Sequence, residues 1–162
     1  MVIDLGGSYD KFAKLYPNDH IVLRYEQGKN LGINPFYISD KSDLTPERLE
    51  DLAIFILELL AAGNETTKAQ EVAVKKVLLS YYFHCTNGHS LASLYKYVEN
   101  NKATLIEDLQ ILEKHFSVYD FLHILSEYVD NGLYSFLFNT NEDQTYRLED
   151  KRLIVFELDE VK

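Results

Sequence analysis

The sequence predicts a mixed α/β, helix-dominated fold: about five helices inserted as a block into a partial α/β frame with a small sheet. Three observations predict it. Short apolar runs rich in β-branched residues stand near both ends of the chain, at VIDL (2–5) and LIVFEL (153–158). Between them, apolar residues recur every three or four positions from Thr45 to Asn131, the period of helices that bury one face. Cap and turn residues punctuate that stretch closely enough to leave only short loops.

The elements follow in order. Val2–Leu5 reads as a strand, Gly6-Gly7 as a loop, and Tyr9–Tyr16 as a brief helix closed by Pro17. His20–Tyr25 has strong β character, a turn holds Gly28, and apolar character returns in LGINPFYIS (31–39). Strand, short helix, strand is the grammar of an α/β fragment. At Thr45 the period changes. A hydroxyl N-cap with proline behind it starts a helix, and Glu47, Glu50 and Asp51 suit its positive end. Leu49, Leu52, Ile56, Leu59 and Leu60 keep helical step until Gly63-Asn64.

A second helix is predicted from about Thr67 to Phe83. Its second half, VLLSYYF, is apolar nearly all round and is expected to be deeply buried. Asn87-Gly88 stops it. Ser90 caps a third helix over Leu91–Glu99, a fourth is predicted over Leu105–His115, and Ser117 with Asp120 resembles a capping box opening a fifth to Val129. Asn131-Gly132 ends the block. Beyond it LYSFLFN (133–139) alternates like a strand, NTNEDQ is a turn, and RLIVFELD is a last strand. The chain thus divides into a partial α/β segment (1–40), a helical insertion subdomain (41–131) and returning β-strands (132–162).

Composition removes several classes. The chain has 162 residues, 46% hydrophobic and 26% charged, which fits a globular domain with a real core. A net charge of -10 with scattered lysines argues against direct nucleic-acid binding, which needs clustered cations. No apolar run reaches the ~20 residues of a membrane span. The longest, LAIFILELLAA (52–62), is interrupted by Glu58. No basic leader precedes the first strand. The single cysteine, Cys85, forbids an intrachain disulfide and favours a reducing, cytosolic compartment.

Both terminal strands carry acids, Asp4 in the first and Asp159-Glu160 after the second, the placement used by nucleotide-hydrolysing folds. Such chemistry needs a phosphate loop, GxxxxGK[ST], whose backbone amides and lysine hold the phosphates. The seven glycines (6, 7, 28, 32, 63, 88 and 132) never form one. In QGKNLGINPF the spacing comes near, but the lysine lies on the wrong side. LIVFELDEVK looks like a Walker B strand only superficially; without a phosphate loop it reads as a buried strand and a solvated acidic turn.

Other constellations are weaker. His84, Cys85 and His89 offer three zinc donors where a structural site needs four, so helix-terminal histidines and a buried cysteine are expected instead. His115 and His123 could serve Ser117, Ser126 or Cys85, but no nucleophile elbow surrounds them. No catalytic residue and no metal ligand is assigned in this chain. Most of the twelve tyrosines and nine phenylalanines are expected in the core.

In order, VIDLGGSY, LGINPFYI, the helical block, LYSFLFN and RLIVFELDEVK resemble the TraG-type ATPases of Bacteroides conjugative transposons, relatives of the conjugation ATPases of type IV secretion. The resemblance spans residues 2–162 and is strongest at INPF (33–36) and FELDEVK (156–162). One departure stands at Ser8: many broader relatives carry an acid near that position, and this sequence does not. The resemblance implies that this chain lies between the Walker A and Walker B motifs of its parent. The parent would be a hexameric cytoplasmic motor at the inner membrane, using Mg-ATP to drive DNA transfer. Its partners would be the other subunits of that hexamer and secretion-channel proteins. The chain by itself would hold no cofactor and be inactive, with Asp4, Gly6 and Gly7 close to nucleotide in the parent. A free-standing helical protein-interaction domain with an aromatic surface is the alternative.

Overall fold

The computed structural model describes residues 2–4, 20–24, 30–31, 33–61, 64–138 and 153–157. The predicted helix Tyr9–Tyr16, Gly28, Gly63 and the 139–144 turn lie outside them. The chain divides into two units, one formed by residues 1–33 with 136–162, the other by residues 34–135.

In the first unit three short strands, β1 (Val2–Asp4), β2 (His20–Arg24) and β3 (Leu153–Glu157), pair in the order β1-β3-β2. Both pairings are parallel, with Val2 opposite Val155 and Val22 opposite Val155 in register. In the same unit the Leu31 amide donates to the Phe136 carbonyl at 2.9 Å, so the outgoing and returning chains lie side by side there.

The second unit is helical: α1 (Pro46–Ala61), α2 (Lys68–His84), α3 (Leu91–Asn100), α4 (Leu105–Asp108) and α5 (Val118–Leu125). Helix dominance is thus what the described residues show. Helix starts sit where the caps place them. Thr45 Oγ1 accepts from the Arg48 amide at 3.2 Å, Thr67 and Gln70 form a reciprocal capping box, and so do Ser90 and Ser93. Ser117 accepts from the Asp120 amide at 3.2 Å, satisfying a donor the first turn leaves open.

The core is built from the predicted faces. Leu49, Leu52, Ala53, Ile56 and Leu57 of α1 are buried, as are Ala73, Val74, Val77, Leu78, Tyr81 and Tyr82 of α2. Leu91, Leu94 and Val98 of α3 and Val118, Phe121 and Leu125 of α5 complete it. Helix α1 packs against α2 and α5, and α3 packs against α2 and α5. Glu50 of α1 lies 3.6 Å from Lys68 and 3.8 Å from Lys75 of α2. Glu71 accepts from both lysines, at 2.7 and 2.5 Å, and those contacts hold its carboxyl down at about 2.

Four expectations need correction. The second half of α2 is not buried all round: Leu79 and Phe83 are 51% and 73% exposed, whereas Val77, Leu78, Tyr81 and Tyr82 are buried. The fourth helix stops at Asp108 instead of running to His115. Gln110 adopts φ 51, a left-handed conformation that ends a helix. Lys76 of α2 donates to the freed Leu109 and Gln110 carbonyls at 3.0 and 3.4 Å. The fifth helix ends at Leu125 and tightens into a 3-10 turn over Ser126–Tyr128, where the Ser126 hydroxyl donates to the His123 carbonyl at 2.7 Å.

The last correction concerns LYSFLFN. Its described residues, 133–138, are turns and a 3-10 helix (Ser135–Leu137), not a strand. Tyr134 donates its amide to the Glu127 carbonyl at 2.8 Å and Ser135 to Gly132 at 3.1 Å, which folds the chain back on the end of α5. Tyr134 then stacks on Tyr128, ring centroids 5.5 Å apart. Gly132 makes this turn possible. A Cβ there would collide with the Ser126 and Glu127 backbone. Gly132→Ala is therefore expected to destabilise the chain by about 1–3 kcal/mol. A urea titration checks this; an unchanged midpoint would show that the turn can open without loss.

Candidate functional site

Asp4, which the family resemblance implies is close to nucleotide in the parent, is the last residue of β1. Parallel strands present their carboxyl ends along one edge, where open α/β sheets bind ligands. Along that edge Asp4 stands in register with Glu157 of β3, and Glu157 in register with Arg24 of β2. Three charged residues from three distant segments thus share one row. Gly6 and Gly7 lie outside the described residues, as do Asp159 and Glu160. The sequence reading passed over Arg24 and Glu157. The available signal was that each closes an apolar run, HIVLR and LIVFE.

The histidine–cysteine group resolves as helix-end structure. The His84 Nδ1–H donates to the Ser80 carbonyl at 2.8 Å, and the His89 Nε2–H donates to the Cys85 carbonyl at 2.8 Å. Those nitrogens carry protons and cannot ligate a metal. The His89 ring packs against Tyr81 and Tyr82, with centroids 5.6 and 4.7 Å away. Burial pushes the Cys85 thiol up, away from the thiolate that metal binding or attack requires. Among the described residues no group of three His, Cys, Asp or Glu side chains is placed to hold a metal ion. The serines considered as nucleophiles are engaged locally, Ser117 as a helix cap and Ser126 on the His123 carbonyl.

The aromatic residues divide in two. Phe36, Tyr81, Tyr82, Phe116 and Phe121 are buried, whereas Phe83 and Tyr119 are 73% and 74% exposed. Burial pushes the Tyr81 hydroxyl up to about 12 against its hydrogen bond with Ser93, and it raises Tyr82 as well. These phenols stay neutral and act as hydrogen-bond donors that fix helix spacing. A pocket of about 320 Å³ is bounded by the end of α1 and the starts of α2 and α5. Its buried lining includes Leu57, Val74, Phe116 and Phe121, and the exposed Lys114 and Asp120 also border it.

The sequence also matches a known family along its entire length. The model of the TraG P-loop domain family matches residues 1–162. The chain belongs to the TraG P-loop domain family. That is the family the order of its segments resembles. Among solved structures it is similar to VirB4 of Thermoanaerobacter pseudethanolicus, with 17% identity and a TM-score of 0.55. That match covers 99% of this chain and 42% of the VirB4 chain, so the TraG-family chain described here spans less than half the length of that relative. No curated protein matches it. In this TraG-family chain no segment has the GxxxxGK[ST] pattern, and no described helix is long and apolar enough to cross a membrane.

Proposed function

We propose that this chain is the part of a conjugation motor ATPase that lies between its phosphate loop and its Walker B strand, and that it does not turn over ATP alone. The observation that carries the reading is the family match over residues 1–162 to a sequence without a phosphate loop. The strand-bearing unit then represents a partial nucleotide-hydrolase frame, and the helical unit its insertion. In the parent, Asp4 at the carboxyl edge of the sheet stands close to bound Mg-ATP, with Gly6 and Gly7 in the loop that follows. The phosphate loop would supply the amides and the lysine that hold the polyphosphate.

The parent acts in DNA transfer by type IV secretion, as a cytoplasmic assembly at the inner membrane whose partners are its own subunits and channel proteins. The conjugative transposons of Bacteroides are the proposed setting. Disrupting the coding sequence should abolish conjugative DNA transfer while growth continues. Transfer at the undisrupted frequency would contradict the reading. The exposure of Phe83, Leu79 and Val72 along α2 favours a second reading, a helical protein-interaction domain, because large apolar side chains left exposed suit a docking site.

A further inference from the structure

The pocket of about 320 Å³ lies wholly within the helical unit, where the end of α1 meets the starts of α2 and α5. Its floor is apolar and buried: Leu57 of α1, Val74 of α2, Phe116 just before α5 and Phe121 within it. Leu60 and Ile124 line it half-buried, so apolar surface stays open to an incoming group. The volume stands at the small end of ligand cavities, which run from about 300 to 1,000 Å³. That size suits an inserted side chain better than an extended ligand.

The rim decides the sign of the occupant. Glu113 and Asp120 are exposed there, and among the described residues neither carboxylate has an ion pair. Lys114 is the one lysine of the lining; Lys68 and Lys75 of α2 are held by Glu50 and Glu71. The positive helix ends at the pocket are already answered, since Thr67 and Ser117 cap α2 and α5. The last turn of α1, by contrast, carries no basic residue to offset its negative end. Across residues 34–135 fifteen Asp and Glu stand against eight Lys and Arg. A second copy of this chain, with the same net charge of -10, brings like charge to such a rim, and a basic protein segment brings the complement. We propose that the pocket is a socket for one large apolar side chain, phenylalanine or leucine, carried on a lysine- or arginine-rich segment of a partner protein whose cations sit against Glu113 and Asp120. The socket goes beyond the role in a conjugation motor proposed above and does not rest on it.

The probe is the peptide acetyl-Lys-Lys-Phe-Lys-Lys-amide, titrated into the whole chain while methyl and aromatic NMR signals are followed. Saturable shifts are expected at Leu60, Ile124 and Phe116, with a dissociation constant of about 1 mM or tighter. The same peptide with alanine in place of phenylalanine should bind at least about tenfold more weakly, because a buried aromatic anchor carries most of such a contact. Glu113→Gln combined with Asp120→Asn changes two exposed positions, and should weaken the phenylalanine peptide about threefold or more at low salt. If that variant does not fold, the peptide acetyl-Glu-Glu-Phe-Glu-Glu-amide on the unaltered chain reads the same dependence on charge, with the same direction expected. No saturable shift at about 10 mM peptide, in the concentration range this affinity class requires, or shifts centred away from the pocket would overturn the socket. Equal binding by the alanine or the glutamate peptide would do so too. Equal binding of phenethylammonium would mark a small-molecule site instead, and the same shifts on concentrating the chain without peptide would mark contact between copies; either result overturns the proposal.

Discussion

Replacing Phe36 with alanine is expected to destabilise the helical unit by about 3–5 kcal/mol, the range for truncating a buried aromatic. Phe36 is 0% exposed and meets Phe55 edge-on. Its carbonyl accepts from Tyr82 and its amide donates to Asn34. Removal of the ring leaves a cavity lined by residues that α1 and α2 hold in place, so collapse into it is costly. Urea denaturation followed by far-ultraviolet circular dichroism gives the value. A loss below ~1 kcal/mol would show that the segment around Phe36 can repack without the ring.

The second large effect is Ile56→Ala, expected at about 2–5 kcal/mol. Ile56 is 0% exposed, midway along α1 on the face formed with Leu49, Leu52, Ala53 and Leu57. Alanine has the higher helix propensity, so the substitution gains a few tenths of a kcal/mol locally, far less than the packing it removes. A loss under ~0.5 kcal/mol is what a surface position gives, and would mean that this face is not the core.

The starts of the helices were legible because their signals are local. Thr45-Pro46, Thr67, Ser90 and Ser117 each cap with a residue three positions on. Where helices stop was less legible, because distant groups decide it. After Asp108 the carbonyl of Leu109 is taken by a lysine from α2, 33 positions away in sequence. The packing of Asn34–Tyr37 was legible only as apolar character returning after Gly28, since its hydrogen-bond partners are Arg48, Tyr82 and His89. The candidate site shows the same split. Asp4 could be marked from the end of its own run, but register with Glu157 and Arg24 is a property of three segments together and is written in none of them alone.

The most direct test of the central claim is calorimetric titration of this chain with Mg-ATP. Without a loop of amides and a lysine there is nothing to offset the cost of stripping water from a polyphosphate, and a net charge of -10 opposes its approach. The account predicts no saturable heat at millimolar nucleotide and no phosphate release above buffer. A dissociation constant below about 10 µM, roughly 7 kcal/mol of binding, or measurable turnover, would contradict it, because a complete nucleotide site would then reside within these 162 residues.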